Sequence, residues 1–164
     1  MPFLLRRIRR GNWHEIMGTS PTEEQIRKGP LFDLVPDDNT LSVWYIEDDR
    51  SNLEQVSVAL ASLRTHLSNF DYALVDEQLL SALDIKVVQK DGETLDREAN
   101  TRWHRDLVEL SDSKLIDLVR AIAEKGETAR IPEKKMALLI REAVDAGRLD
   151  RTKLKKELAA KLKT

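Results

Sequence analysis

Residues 40–67, TLSVWYIEDDRSNLEQVSVALASLRTHL, constrain the fold more than any other part of the chain. In Leu41–Ile46 every residue except Ser42 is apolar or aromatic, and Val43, Trp44, Tyr45 and Ile46 suit a pleated surface. On a strand, Leu41, Val43 and Tyr45 point to one side and Trp44 and Ile46 to the other. Both sides then need cover, which predicts an interior strand. Glu47, Asp48, Asp49 and Arg50 end the run. Ser51-Asn52-Leu53-Glu54 has the S-x-x-E form of a capping box, in which Ser and Glu satisfy each other's free backbone N–H groups. Leu53, Val56, Leu60, Leu63 and Leu67 follow at alternating spacings of three and four, an apolar stripe along one helix. A strand covered on both sides feeding such a helix predicts an α+β, or a small α/β, core.

The flanks extend this unit. Residues 70–75 read as a second strand, residues 76–83 as a short helix capped by Asp76, and residues 85–89 as a third strand ended by Asp91-Gly92. Single helices between strands favour parallel pairing, so a mixed sheet is expected over residues 1–95. Upstream, residues 3–8 fit a strand or a short helix equally well, and residues 12–17 carry no decisive pattern. Ser20 and Pro21 suit the start of a short helix that Gly29-Pro30 stops. From residue 96 the pattern turns to helix only. Ala99, Trp103, Leu107 and Leu110 share one helical face over residues 97–110. Leu115, Leu118, Val119 and Ile122 do so over 111–125, and Met136, Leu139, Ile140 and Val144 over 133–146. Gly126 and Gly147 follow the latter two as stops. A fourth helix, capped by Asp150 or Thr152, carries Leu154, Leu158 and Leu162 between lysines. The expected organisation is a mixed core domain over 1–95 and an all-helical C-terminal region with a basic tail over 96–164.

The net charge of −2 conceals a polarity, because Lys and Arg outnumber Asp and Glu in residues 111–164 and the reverse holds before them. The excess falls on Arg148, Arg151, Lys153, Lys155, Lys156, Lys161 and Lys163. Such asymmetry points to a nucleic acid or an acidic partner for the tail. The chain has no cysteine, so disulfides, thiolate catalysis and cysteine-ligated metals are excluded. The apolar run at the start is too short for a signal peptide, and no later stretch could span a bilayer. These features favour a cytoplasmic protein without membrane contact.

The short text around the acidic residues resembles another family. VWYIEDD is similar to the acidic first strand of a response-regulator receiver domain, and FDYALVDEQLL to its phospho-acceptor strand. That resemblance implies Asp48, Asp49 and Asp76 at one sheet edge, holding magnesium or accepting a phosphoryl group. It covers these two segments alone, since Asp49 and Asp76 are too close in sequence for the strand and helix such a domain places between them. Arg97 and His104 loosely resemble the R-x(4–6)-H motif of HEPN ribonucleases, although Glu98 departs from that family's preference after the arginine. The helical pair around Arg130, Lys134 and Lys135 loosely resembles a SAP-type nucleic-acid module, without its loop glycine. His14, His66 and His104 are too scattered to form a metal motif, and each reads as a surface or helix-face histidine. No nucleophile-elbow, dinucleotide or P-loop signature occurs.

With no catalytic constellation, the sequence points to a non-catalytic interaction or regulatory module without a cofactor. It would bind a protein partner, or a second copy, through Arg148, Arg151, Lys153, Leu154, Lys155, Lys156, Leu158 and Leu162. A weak nucleic-acid contact through the basic tail is compatible with this reading. The alternative is a small metal- or phosphate-handling enzyme using Asp48, Asp49 and Asp76.

Overall fold

The computed structural model describes residues 1–162, so Lys163, the last of the tail lysines, lies outside the described residues. One six-stranded sheet organises the chain in the order β4-β5-β2-β1-β3-β6. Its strands are β1 (Phe3–Arg7), β2 (Leu41–Ile46), β3 (Phe70–Asp76), β4 (Lys86–Gln89), β5 (His104–Val108) and β6 (Glu127–Ile131). The helices are α1 (Glu23–Lys28), α2 (Leu53–Ala61), α3 (Glu77–Ala82), α4 (Arg97–Arg102), α5 (Asp112–Lys125), α6 (Glu133–Asp145) and α7 (Lys156–Lys161). The fold class is α+β. No helix among the described residues is long and apolar enough to cross a membrane.

β2 is interior, between β1 and β5, and Trp44 on it is 4% exposed. The expected parallel pairing of β2 with β3 does not occur. β1 lies between them and pairs antiparallel with both, placing Leu5 opposite Trp44 and Leu74. Leu4 and Leu5 alternate sides, so this strand also needs cover on both faces, and the centre of the sheet supplies it. The sheet is therefore antiparallel throughout, not mixed.

Two cores lie on the two faces. The first packs Leu5, Trp44, Ile46, Tyr72 and Leu74 with residues of α2, α4, α6 and α7. The second packs Leu4, Leu41, Val43, Val75 and Leu107 with residues of α1, α3 and α5. Trp13, wholly buried in the second core, donates its indole N–H to Asp33 Oδ2 (2.8 Å). Asp33 Oδ2 also accepts from the Arg9 backbone and Asn12 Nδ2, while Arg6 donates to the Asp33 and Ser42 carbonyls. That knot orders the stretch left open by its sequence pattern.

The region after residue 96 is not all helical, since β5 and β6 complete the sheet. The expected helix over 97–110 ends at Arg102. Its stripe splits: Ala99 and Trp103 enter the first core, Leu107 and Leu110 the second. Periodicity alone could not place this run, because the free side of β2 also needed a hydrogen-bonding partner. α2 ends at Ala61, before Leu63 and Leu67, and turns Val56, Val58 and Ala59 inward. Ser51 does not cap it. Asn52, 4% exposed, accepts from the Glu47 N–H and donates to the Tyr45 carbonyl (both 2.9 Å), tying the helix start to the strand end. α1 is capped by Thr22, not Ser20, in a capping box with Gln25. The cap at Asp76 forms as the sequence indicates, and Ser111 caps α5. Gly126 must be glycine, because a Cβ there would stand 2.7 Å from the Leu74 carbonyl oxygen.

Candidate binding cleft

On the first face, β5 and β4 carry a cleft of about 650 Å³ instead of a packed helix. Its floor takes Trp44 from β2, His104 and Asp106 from β5, and Val88 from β4. Strand alternation puts these side chains on one side. Register aligns them, with Trp44 opposite His104, and Asp106 opposite both Ser42 and Val88. Leu60 in the last turn of α2 and Leu63 just after it form one wall, and the loop after β4 forms another. The rim is acidic, with Asp37, Asp38, Asp91 and Glu93 against Lys90.

The loop is held from two directions. Asn100 on α4 accepts from the Thr94 N–H (2.9 Å) and hydroxyl (2.6 Å), and donates to the Thr94 carbonyl (2.8 Å). Gly92 lies so close to the floor that a Cβ would meet Trp44 Cη2 at 2.8 Å and His104 Cγ at 3.1 Å. Trp44 and His104 stand edge to face, ring centroids 4.9 Å apart.

His104 and Asp106 are buried, each with a side chain 8% exposed. His104 Nδ1 lies 2.6 Å from the Lys90 carbonyl oxygen. A carbonyl only accepts, so Nδ1 carries the proton. Nε2 is then the acceptor nitrogen in the neutral ring, and it faces Asp106 Oδ1 at 3.8 Å. That separation is too long for a hydrogen bond. Asp106 thus accepts no side-chain hydrogen bond among the described residues. Its oxygens are nonetheless not sealed, since Ser57 Oγ is the one buried side-chain atom without a partner among the described residues, so they open to the cleft, where a donor or a cation can reach them. The arrangement can receive an ammonium or guanidinium, with Trp44 as an apolar wall.

The residues singled out by sequence lie elsewhere. Asp48 and Asp49 follow β2 and Asp76 ends β3, all at the same sheet edge, but β1 runs between the two strands. Two strand spacings separate them, about 10 Å. Each acid has its own local role. Asp48 Oδ1 is 2.8 Å from the Met1 amino group, and Asp76 caps α3. Asp49 accepts from the Ser51 N–H, which holds its carboxyl below the ordinary value. No group of three or more potential metal ligands is found among the described residues. In the tail, Leu154, Leu158 and Leu162 are buried in the first core. Arg148, Arg151, Lys153, Lys155 and Lys156 are exposed around them. Arg97 and His104 belong to different elements, α4 and β5, and His104 is interior, not at the surface.

The His104–Asp106 pair is invisible on a helix, where positions two apart point in widely different directions, and plain on a strand, where they share a face. His104-Arg105-Asp106-Leu107 has no apolar–polar alternation, so the sequence carried no signal that exposed the pair. Comparison of the chain with protein-family models, with curated proteins and with solved structures finds no match.

Proposed function

We propose that the protein is a non-catalytic interaction module that receives a cationic group of its partner in the cleft over β5. The observation carrying this reading is Asp106, a buried carboxylate without a hydrogen bond that opens into an acid-rimmed cleft. Its neighbour His104 is 3.8 Å away and already committed at Nδ1 to a backbone carbonyl. An incoming ammonium or guanidinium supplies the missing charge-assisted bond. The tail leucines, being covered by the chain's own core, leave this cleft as the better place for the contact.

The test is a heteronuclear NMR titration with spermidine at low salt. Shifts concentrated at the Asp106 carboxyl, the His104 ring and the Trp44 indole, and lost in Asp106→Asn, support the reading. Shifts spread evenly over exposed acids would remove it.

A second reading concerns the basic outer face of the tail. It is favoured by Arg148, Arg151, Lys155 and Lys156, which are exposed and form no ion pair among the described residues. An acidic partner or a nucleic-acid backbone would contact these side chains, with affinity falling steeply as salt rises.

A further inference from the structure

We infer that the cleft's ligand is a lysine or arginine presented by an extended segment of a partner polypeptide, which adds as a strand to the free edge of β4. This rests on the cation-binding reading above and specifies the partner.

The edge itself is the first support. β4 pairs with β5 on one side alone, so the backbone groups on its other side have no partner in the sheet. An exposed edge is a template for an added strand. The opposite edge, β6, is less receptive. Glu127 pairs with Arg50, and Arg130 with Asp71 (2.7 Å). Charged, paired side chains of that kind blunt an edge. No residue of β4 forms an ion pair among the described residues.

Register is the second support. Val88 lies directly opposite Asp106, and both belong to the cleft floor. A residue added opposite Val88 would stand on the same side of the sheet, two strand spacings or about 10 Å from Asp106. That span suits a long basic side chain whose apolar stem lies over Val88 and whose charged end meets the carboxylate. A short side chain would not reach. Backbone pairing then supplies affinity, and the Asp106 contact selects the basic residue.

The experiment uses the full chain and a displayed library of ten-residue peptides with a fixed central lysine or arginine. Selected peptides are compared on wild type, Asp106→Asn and Val88→Lys. The last variant places an intramolecular lysine beside Asp106, at a half-buried position that tolerates it. The expected result is peptides that bind wild type at least tenfold more tightly than either variant. Their binding should also slow hydrogen exchange of β4 amides that do not bond to β5. Peptides that bind without protecting β4 overturn the inference, and so does a selection in which no peptide distinguishes wild type from both variants. Spermidine separates the two failures: if it still shifts Asp106 and His104 resonances, the cation reading stands and strand addition alone is lost. If it does not, both fall.

Discussion

One face of the sheet is treated in two ways. Over β1, β3 and β6 it is closed, and Met136, Ile140 and Leu158 from α6 and α7 are each 0% exposed. Over β5 and β4 the same face carries His104 and Asp106, and no helix packs onto it. The closed half buries Leu5, Phe70, Tyr72, Leu74 and Ile131 against helices, and that burial stabilises it. The open half has a carboxylate and an imidazole at inward positions of a strand. An apolar helix laid over them would strand two polar groups, at a cost that burial of a few methylenes does not offset. Its polar residues keep the cleft open, whereas the tail leucines mark a core.

The largest expected effect tests the closed half. Leu158→Ala should destabilise by about 2–5 kcal/mol, through a cavity between α7 and the sheet. Removal of residues 153–164 should cost more still, since Leu154, Leu158 and Leu162 leave together. Urea denaturation measures both, and unchanged midpoints would show that the closed half does not depend on the tail.

Next comes the junction of loop and floor. Gly92→Ala should cost about 1–3 kcal/mol, because the neighbours it meets are rigid rings. The Trp44 indole resonance should shift with it. A neutral variant with an unshifted indole would mean that the loop does not rest on the floor.

The open half should respond in the opposite direction. Asp106→Asn puts an amide that can donate towards His104 Nε2 where the carboxyl group has no donor, and should raise stability by about 1 kcal/mol, at the expense of cation binding. Loss of stability of similar size would show that Asp106 supports the fold like any residue of the closed half.

The smallest effect is a pH dependence at the entry to the tail. The Thr152 hydroxyl and amide hold the Asp150 carboxyl below its ordinary value. A depressed folded value means that the stabilisation is present above the unfolded carboxylate pKa, about 3.9, and is lost as pH falls through the folded value. The difference in Tm between wild type and Asp150→Ala should therefore be largest near neutrality and vanish in strong acid. A difference that persists in strong acid would assign the effect to something other than the ionised carboxylate.

Where local chemistry alone decides, the sequence is a reliable guide. The cap at Asp76, the interior strand through Trp44 and the glycine after α5 each follow from a few adjacent residues. Ser51 misled because its S-x-x-E pattern competes with Asn52, whose bonds to Glu47 and Tyr45 bridge the strand end and the helix start. The cleft was not legible, because it joins residues of β2, β4 and β5 and depends on reading residues 104–108 as a strand.

What the sequence determined by itself is the α+β class, the burial of Trp44, most element positions and the amphipathic faces of α5 and α6. Those depend on periodicity and on side chains a few positions apart. Only the tertiary structure decided that β1 enters between β2 and β3, that the region after residue 96 contributes two strands, and that the tail leucines close the first core. Each of these is settled by which free strand side or apolar patch remains when the other elements have packed. That is a property of the whole chain: a run such as Trp103–Val108 is compatible with helix until β2 offers it a hydrogen-bonded edge.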